Sequence, residues 1–217
     1  MNIAIDGPAG AGKSTIAKIL AKKLNILYLD TGAMYRGVAY YVLKKGIQPN
    51  DRENVETILD EITMNIKYEN NLQSVWVNGE DISPFIRENS ISMAASTVSK
   101  YPKVRLKLVE LQREIANKSD CVLDGRDIGT FVLPNAEYKI FLTASPETRA
   151  KRRYIELIER GQEQPYSQIL EEIQARDYQD IHRDFAPLKQ AGDAILLDTS
   201  DLSIEEVVNS IENICKF

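Results

Sequence analysis

The chain has 217 residues, of which 43 % are hydrophobic and 27 % charged, a composition typical of a globular protein with one α/β domain. A net charge of −5 argues against general nucleic-acid binding, and no apolar run is long enough to cross a bilayer. Two distant cysteines, Cys121 and Cys215, and a single histidine, His182, argue against a disulfide framework, a zinc site or a multi-histidine metal site. We therefore expect a cytoplasmic protein with no signal peptide, membrane or nucleic-acid partner. Few long exposed apolar stripes are apparent in the sequence, which favours a monomer.

The first predicted strand, residues 2–6, leads into a glycine-rich stretch that fits the pattern G-x-x-x-x-G-K-[ST], and residues 14–24 then have helical apolar spacing. In such a loop, backbone N–H groups and the helix N-terminus attract phosphate, the lysine reaches the outer phosphates, and the serine hydroxyl can hold Mg²⁺. The pattern predicts a nucleoside triphosphate site with magnesium at Ser14. Its residues are Gly7, Pro8, Ala9, Gly10, Ala11, Gly12, Lys13, Ser14 and Thr15.

A second short apolar run, residues 26–29, predicts a strand, followed by a turn and a helix that Gly46 ends. Asp51 is placed to cap a further helix that extends to about residue 62. From residue 65 the pattern alternates in strand fashion, with turn signals at Asn70-Asn71 and Asn78-Gly79. These signals predict a small antiparallel sheet at about 63–83, inserted between helices.

Residues 83–118 have helical patterning with a break near Pro102, after which strands and helices alternate again. Ser145 begins a helix, the polar stretch 161–166 is expected to be mobile, and Ser203 with Glu206 forms a capping box. Five short apolar strands alternating with helices predict an α/β fold with a parallel sheet covered on both faces. The three later strands of that sheet are 121–124, 138–142 and 194–197.

Arginines follow or flank several of the predicted strands: Arg36, Arg126, Arg176 and Arg183. Arg126 lies in Asp124-Gly125-Arg126-Asp127, directly after a buried strand, and ligands in such sheets bind at the carboxyl ends of the strands. The stretch 124–127 is therefore favoured as a site over a solvated turn.

With these motifs in view, the chain resembles the bacterial cytidylate kinases. The resemblance rests on IAIDGPAGAGKST, DTGAMYR, LDGRDIGT, KIFLTAS and the R-D-x-x-D-x-x-R run from Arg176 to Arg183, in the family's order along nearly the whole chain. It implies a P-loop kinase with a five-stranded parallel sheet flanked by helices, a small antiparallel insertion and a mobile lid. The implied regions are a core (about 1–30, 119–150 and 184–217), a monophosphate-binding region (about 31–118) and a lid (about 151–183).

The resemblance also implies a reaction and the residues that serve it. ATP would phosphorylate CMP or dCMP with Mg²⁺, as a step of pyrimidine nucleotide metabolism, and Lys13, Arg36, Arg126 and Arg183 would be catalytic. The last three would hold the acceptor phosphate. The full implied set for CMP is Thr31, Arg36, Ser96, Arg105, Arg126, Asp127, Arg176, Asp180 and Arg183, in which Ser96, Arg105 and Asp127 contact cytosine and Arg176 and Asp180 lie near the ribose.

The chemistry of phosphoryl transfer is compatible with a chain that has a single histidine. The attacking phosphate oxygen is already anionic near neutral pH, so that no general base is needed. What phosphoryl transfer does need is positive charge and positioning.

Three alternatives are weighed against this interpretation. The first is a P-loop kinase for another monophosphate or a small alcohol. The second is a GTP-binding switch, because Asn117-Lys118-Ser119-Asp120 fits N-K-x-D; however, the tetrad precedes a predicted strand and no D-x-x-G sequence occurs. The third is an RNA-binding module that uses Arg149, Lys151, Arg152 and Arg153, which we instead expect on the lid or a solvated helix face.

Overall fold

A computed structural model of the chain describes residues 1–69 and 72–216, in which eight strands and eight α-helices are found. The strands are β1 (Asn2–Asp6), β2 (Leu27–Asp30), β3 (Met64–Glu69), β4 (Leu72–Val77), β5 (Glu80–Asp81), β6 (Cys121–Gly125), β7 (Tyr138–Thr143) and β8 (Ile195–Asp198). The helices are α1 (Lys13–Leu24), α2 (Thr31–Lys44), α3 (Arg52–Thr57), α4 (Asn89–Val98), α5 (Pro102–Lys118), α6 (Pro146–Glu159), α7 (Tyr166–His182) and α8 (Ile204–Cys215).

Five strands form one parallel sheet in the order β2-β6-β1-β7-β8, as the alternating pattern predicts. The central strand β1 pairs in register with β6, Asn2 opposite Cys121, and with β7, Ile3 opposite Tyr138. Its apolar residues are fully buried because helices cover both faces of such a sheet. The edge strand β8 differs: its burial alternates, and Leu196 is exposed.

The chain divides into two compact units, residues 1–26 with 121–217 and residues 27–120. The first unit contains the P-loop after β1 and the segments that follow β6 and β7. The second contains α2, α4, α5 and a separate antiparallel sheet in the order β3-β4-β5.

This small sheet confirms the predicted insertion at about 63–83. β3 and β4 pair in register from Met64 opposite Val77 to Glu69 opposite Leu72. The predicted turn at Asn70-Asn71 lies outside the described residues. The second turn signal is confirmed, since both Asn78 and Gly79 have positive φ angles between β4 and β5.

Three helices begin with the capping residues that the sequence predicts. Asp51, Ser145 and Ser203 each accept a backbone N–H of the following helix, and Ser203 completes the capping box with Glu206. Three boundaries differ from the prediction. The helical segment expected from residue 83 begins only at Asn89, with α4. The turn expected after β2 is absent, because Asp30 caps a helix that begins at once with Thr31. The helix after Asp51 ends at Thr57 and continues as a 3₁₀ turn, Ile58–Glu61.

Three further observations concern smaller features of the chain. Within 1–69 and 72–216, no helix combines the length and the apolarity needed to cross a membrane. Within the described part of the chain, the thiols of Cys121 and Cys215 are buried and form no disulfide bond. The tetrad 117–120 spans the end of α5 and precedes β6, which is the wrong side of a strand for guanine recognition in a GTP-binding switch.

Candidate functional site

The P-loop is a sharply constrained backbone between β1 and α1. Gly7, Gly10 and Gly12 all have positive φ angles, of 145°, 78° and 87°. A Cβ at Gly7 would lie 1.9 Å from the carbonyl oxygen of Leu142 on β7, so that only glycine fits there. The loop ends at the first turn of α1, where unpaired N–H groups and the helix dipole favour an anion.

Lys13 is buried at the start of α1, and its Nζ donates to the carbonyl oxygen of Pro8 at 2.7 Å. Its pKa lies well below the usual lysine value, first because burial disfavours the ammonium ion and then because Arg126 places a second positive charge nearby. The carboxylates of Asp124 and Asp180 act in the opposite direction. A polyphosphate in the P-loop would supply the negative charge that this lysine needs.

Ser14 is hydrogen-bonded to a carboxylate near the end of β6, the strand that neighbours β1 in the sheet. Its hydroxyl donates to Oδ2 of Asp124 at 2.7 Å. In P-loop proteins Mg²⁺ is held by the P-loop hydroxyl and an aspartate, with phosphate oxygens completing the ligands. Residues 1–69 and 72–216 contain no cluster of three or more His, Cys, Asp or Glu side chains that would hold a metal by themselves. The Ser14–Asp124 pair fits an ion that is shared with a nucleotide, and sequence reasoning had named only Ser14.

Two arginines and two aspartates of the first unit form a second group, which we call the arginine–aspartate cluster: Arg126, Asp127, Asp180 and Arg183. The Nε of Arg126 donates to Asp180 at 2.9 Å, while Arg183 lies 3.3 Å from Asp127 and 3.8 Å from Asp180. Asp127, Asp180 and the Arg183 side chain are nearly inaccessible to solvent. The chain thus brings together residues that are more than 50 positions apart in the sequence.

The pKa of Asp180 shows how the charges of this cluster balance. Burial raises the pKa of its carboxyl group, but Arg126, Arg176 and Arg183 together lower it, and the pKa lies below the usual value. Asp180 is therefore ionised at neutral pH. Arg176, which lies four residues before Asp180 on α7, acts on the same carboxylate by its charge.

Sequence reasoning missed the part that Asp6 plays beneath this cluster. Its two carboxylate oxygens accept the backbone N–H groups of Ile128 and Gly129, each at 2.7 Å. These donors begin a π-helical turn, Ile128–Val132, directly after Asp127. Burial raises the pKa of Asp6 to about 6, although the two backbone hydrogen bonds oppose that rise. A strand-end aspartate gives no local signal of this role, since its partners lie 122 and 123 residues away.

The expectation of a solvated position is wrong for Arg149. This side chain is buried and donates to the carbonyl oxygens of Ala144 and Ala9, the second of which belongs to the P-loop. It also pairs with Asp177 on α7 at 2.6 Å. The helical spacing of the sequence does not reveal that the first turn of α6 packs against the P-loop. There the guanidinium of Arg149 can be buried because carbonyl oxygens and a carboxylate accept its N–H groups.

The second unit carries Arg36, which pairs with the N-cap residue of its own helix. The Nη2 of Arg36 lies 2.8 Å from Oδ2 of Asp30, and Oδ1 of Asp30 accepts the N–H of Ala33. The helix thus begins with a carboxylate that both caps it and orients a guanidinium one turn further on. Thr31 is buried at the first position of α2.

Arg105 is the largest fully buried side chain of the chain's described part. It lies on α5, donates to the carbonyl oxygen of Ser99 at 3.2 Å, and its guanidinium lies 5.3 Å from the ring centroid of Tyr35. Ser96 lies on α4, half-buried. The predicted set therefore falls into two groups, and Thr31, Ser96 and Arg105 belong to the unit of Arg36.

A parallel sheet with a P-loop after its central strand, together with arginines in the segments that follow β6 and β7, is typical of the P-loop kinases. A gluconokinase structure from Sinorhizobium meliloti shares this fold with a TM-score of 0.54 at 13 % identity, covering 99 % of this chain and 91 % of that one. The family model described as cytidylate kinase matches residues 3–216, and the chain belongs to this family of nucleoside monophosphate kinases.

Two relatives are similar along nearly their whole length. A cytidylate kinase of Caldicellulosiruptor bescii is 53 % identical over 211 residues, which are 97 % of this chain and 93 % of that protein. A cytidylate kinase of Caldicellulosiruptor saccharolyticus is 52 % identical with the same coverage of both chains. The resemblance seen in the sequence motifs is thus confirmed at the level of the family.

Proposed function

We propose that this enzyme transfers the γ-phosphoryl group of ATP to CMP or dCMP and releases ADP and CDP or dCDP. The observation that carries the proposal is identity of about one half to relatives named cytidylate kinase over nearly the whole chain. The arginines and aspartates of the two units are of the chemical types that such an acceptor needs.

On the donor side, the loop from Gly7 to Thr15 binds the phosphates of ATP through its backbone N–H groups and the N-terminus of α1. Lys13, already buried and in contact with the loop, stabilises charge on the transferred group. Ser14 and Asp124 would hold Mg²⁺, which neutralises charge on the β- and γ-phosphates when bound. Arg149 supports the loop from below through Ala9.

On the acceptor side, Arg36, Arg126 and Arg183 bind the phosphate of the monophosphate. Their carboxylate partners, Asp30 and Asp180, hold the guanidinium groups in place before the acceptor arrives. Guanidinium groups bind phosphate in a bidentate manner, and positioning is a large part of catalysis in phosphoryl transfer. The attacking oxygen is anionic at neutral pH and needs no general base.

The base and the sugar are assigned to the remaining residues. Asp127 accepts from the cytosine amino group, Ser96 can accept as well, and Arg105 donates to the opposite edge. Asp180 accepts from the ribose, beside Arg176. The lid at about 151–183, its closure over ATP, the cytoplasmic location and the monomeric state stay predictions.

An ADP-release assay over a panel of acceptors tests the proposal. CMP and dCMP should give kcat/KM values at least about tenfold above those of UMP, AMP, GMP and gluconate, because a mismatched buried base leaves polar groups unpaired at about 1–3 kcal/mol. A purine monophosphate or a small alcohol as the preferred acceptor would contradict it.

A further inference from the structure

The side chain of Gln73 joins the small sheet to the backbone of Asp30. Its amide forms two hydrogen bonds with that residue, as the backbone of a neighbouring strand does. Gln73, on β4, accepts the N–H of Asp30 through Oε1 at 2.7 Å and donates to the carbonyl oxygen of Asp30 through Nε2 at 3.3 Å. Because one amide binds both backbone groups of one residue, it fixes the position of that residue and its orientation.

Asp30 in turn holds Arg36. One carboxylate oxygen caps α2 at Ala33 and the other lies 2.8 Å from the guanidinium. Gly32 leaves the space that this pair occupies, since a Cβ there would lie 3.2 Å from both Arg36 Nη1 and Asp30 Oδ1. Asp30 and Arg36 are both half-buried, so that water competes only partly for their charges.

The small sheet also contacts α2 directly beyond the arginine. A Cβ at Gly37 would lie 2.8 Å from Met64 Cε on β3 and 3.3 Å from Val75 Cγ1 on β4. The sheet therefore packs against the segment on both sides of Arg36, at residue 30 and at residue 37. All of these contacts lie within the second unit.

We propose that Gln73 is a positioning residue for Arg36, acting through Asp30. This inference rests on the proposed function, in which Arg36 binds the acceptor phosphate. A guanidinium that is already oriented loses less side-chain freedom when it binds an anion, and the gain appears in the affinity for the acceptor. The inserted sheet then serves as the support of an acceptor-binding side chain.

The primary variant is Gln73→Leu, which keeps the size of the side chain and removes both hydrogen bonds. We expect the KM for CMP to rise about tenfold, kcat to fall no more than about threefold, and the Kd for ATP to stay within twofold, as loss of acceptor binding requires. Gln73→Glu keeps the acceptor for the N–H of Asp30 but sets a second carboxylate oxygen against the carbonyl oxygen of Asp30, so that a rise in KM of similar size is expected.

The matched control is Ser74→Ala on the same strand, because among the described residues the hydroxyl of Ser74 bonds only to groups of the small sheet, the carbonyl oxygen of Lys67 and the indole N–H of Trp76. It should leave the KM for CMP within twofold. Thermal unfolding of each variant checks the fold, and Gln73→Glu carries the test if Gln73→Leu does not fold.

A double-mutant cycle separates positioning from general support of the fold. If Gln73 acts through Arg36, then Gln73→Leu should change the KM for CMP less than about twofold in an Arg36→Ala background. Multiplicative effects of the two substitutions would overturn the inference. An unchanged KM in Gln73→Leu, with wild-type kcat, would overturn it as well.

The same experiment distinguishes this inference from the proposed function. Arg36→Ala alone should raise the KM for CMP by more than Gln73→Leu does. If Arg36→Ala leaves the KM for CMP unchanged, the acceptor role of Arg36 fails. If Arg36→Ala has its effect and Gln73→Leu does not, only the positioning role of Gln73 fails.

Discussion

The two units hold the arginines that we predict to bind the acceptor in different ways. In the first unit, Arg126 and Arg183 share the carboxylate of Asp180, and the charges of Arg126 and Asp180 also act on Lys13. In the second unit, Arg36 belongs to a linear series in which Gln73 holds Asp30 and Asp30 holds the guanidinium. Removing one side chain of the arginine–aspartate cluster leaves a buried charge without its counter-charge. Removing one member of the series Gln73–Asp30–Arg36 frees only the side chains that it holds in place.

The largest effect is expected at the P-loop, to which the cluster is electrostatically linked. Lys13→Ala should lower kcat by at least about 10³-fold with the fold intact, because the lysine stabilises charge on the transferred phosphoryl group. Steady-state kinetics and thermal unfolding measure both parts. The exposed Lys22 on the same helix offers a control, Lys22→Ala, which should keep wild-type activity. Activity of Lys13→Ala within tenfold of wild type would contradict the role of Lys13.

Asp6, which holds the turn after Asp127, gives a prediction for stability against pH. Its pKa is about 6 in the folded protein and 3.8 ordinarily, so that the folded state binds the proton more tightly. The free energy of unfolding should therefore fall as the pH rises from about 4 to about 6, by an amount on the order of 3 kcal/mol.

Asp6→Asn lacks this titration. Urea denaturation at several pH values gives the unfolding free energies of Asp6→Asn and of wild type. As the pH rises from about 4 to about 6, the variant should become more stable relative to wild type. A difference that stays constant with pH would show that Asp6 does not titrate there.

Breaking the cluster at Asp180 should impair the acceptor more than the donor. Asp180→Ala removes the partner of Arg126 and a predicted ribose contact, and we expect the KM for CMP to rise roughly tenfold to a hundredfold. The Kd for ATP should change much less, although a lower melting temperature is also expected because buried arginines lose their counter-charge.

The neighbouring exposed Asp184 supplies the control, since Asp184→Ala should leave both constants near wild type. An unchanged KM for CMP in Asp180→Ala would remove this aspartate from the acceptor site.

The smallest expected effect concerns the choice of base. Wild type should prefer CMP over UMP by at least about tenfold in kcat/KM, because uracil would oppose Asp127 with a second acceptor. Asp127→Asn can offer either a donor or an acceptor, and its Oδ1 can still accept from Arg183, so that the ratio should narrow to a few-fold. A ratio that the substitution leaves unmoved would show that another residue recognises the base.

The comparison of the units also shows which parts of the molecule the sequence could predict. The P-loop, the caps at Asp51, Ser145 and Ser203, and the hairpin at 63–83 were predicted because their interactions lie within a few residues. The order of the site motifs pointed to the family. The π-helical turn after Asp127 was not predicted, because nothing in its composition separates it from an ordinary loop.

What the sequence determined by itself is therefore the local chemistry: a phosphate-binding loop, an alternating α/β pattern and a set of arginines near strand ends. Only the tertiary structure decided which of these groups support one another. Asp6 reaches residues 122 and 123 positions away, Gln73 reaches Asp30 across 43 positions, and Arg149 is buried under the P-loop. The reason is physical, since a buried polar group must find a partner, and the fold alone determines which distant backbone or side chain that partner is.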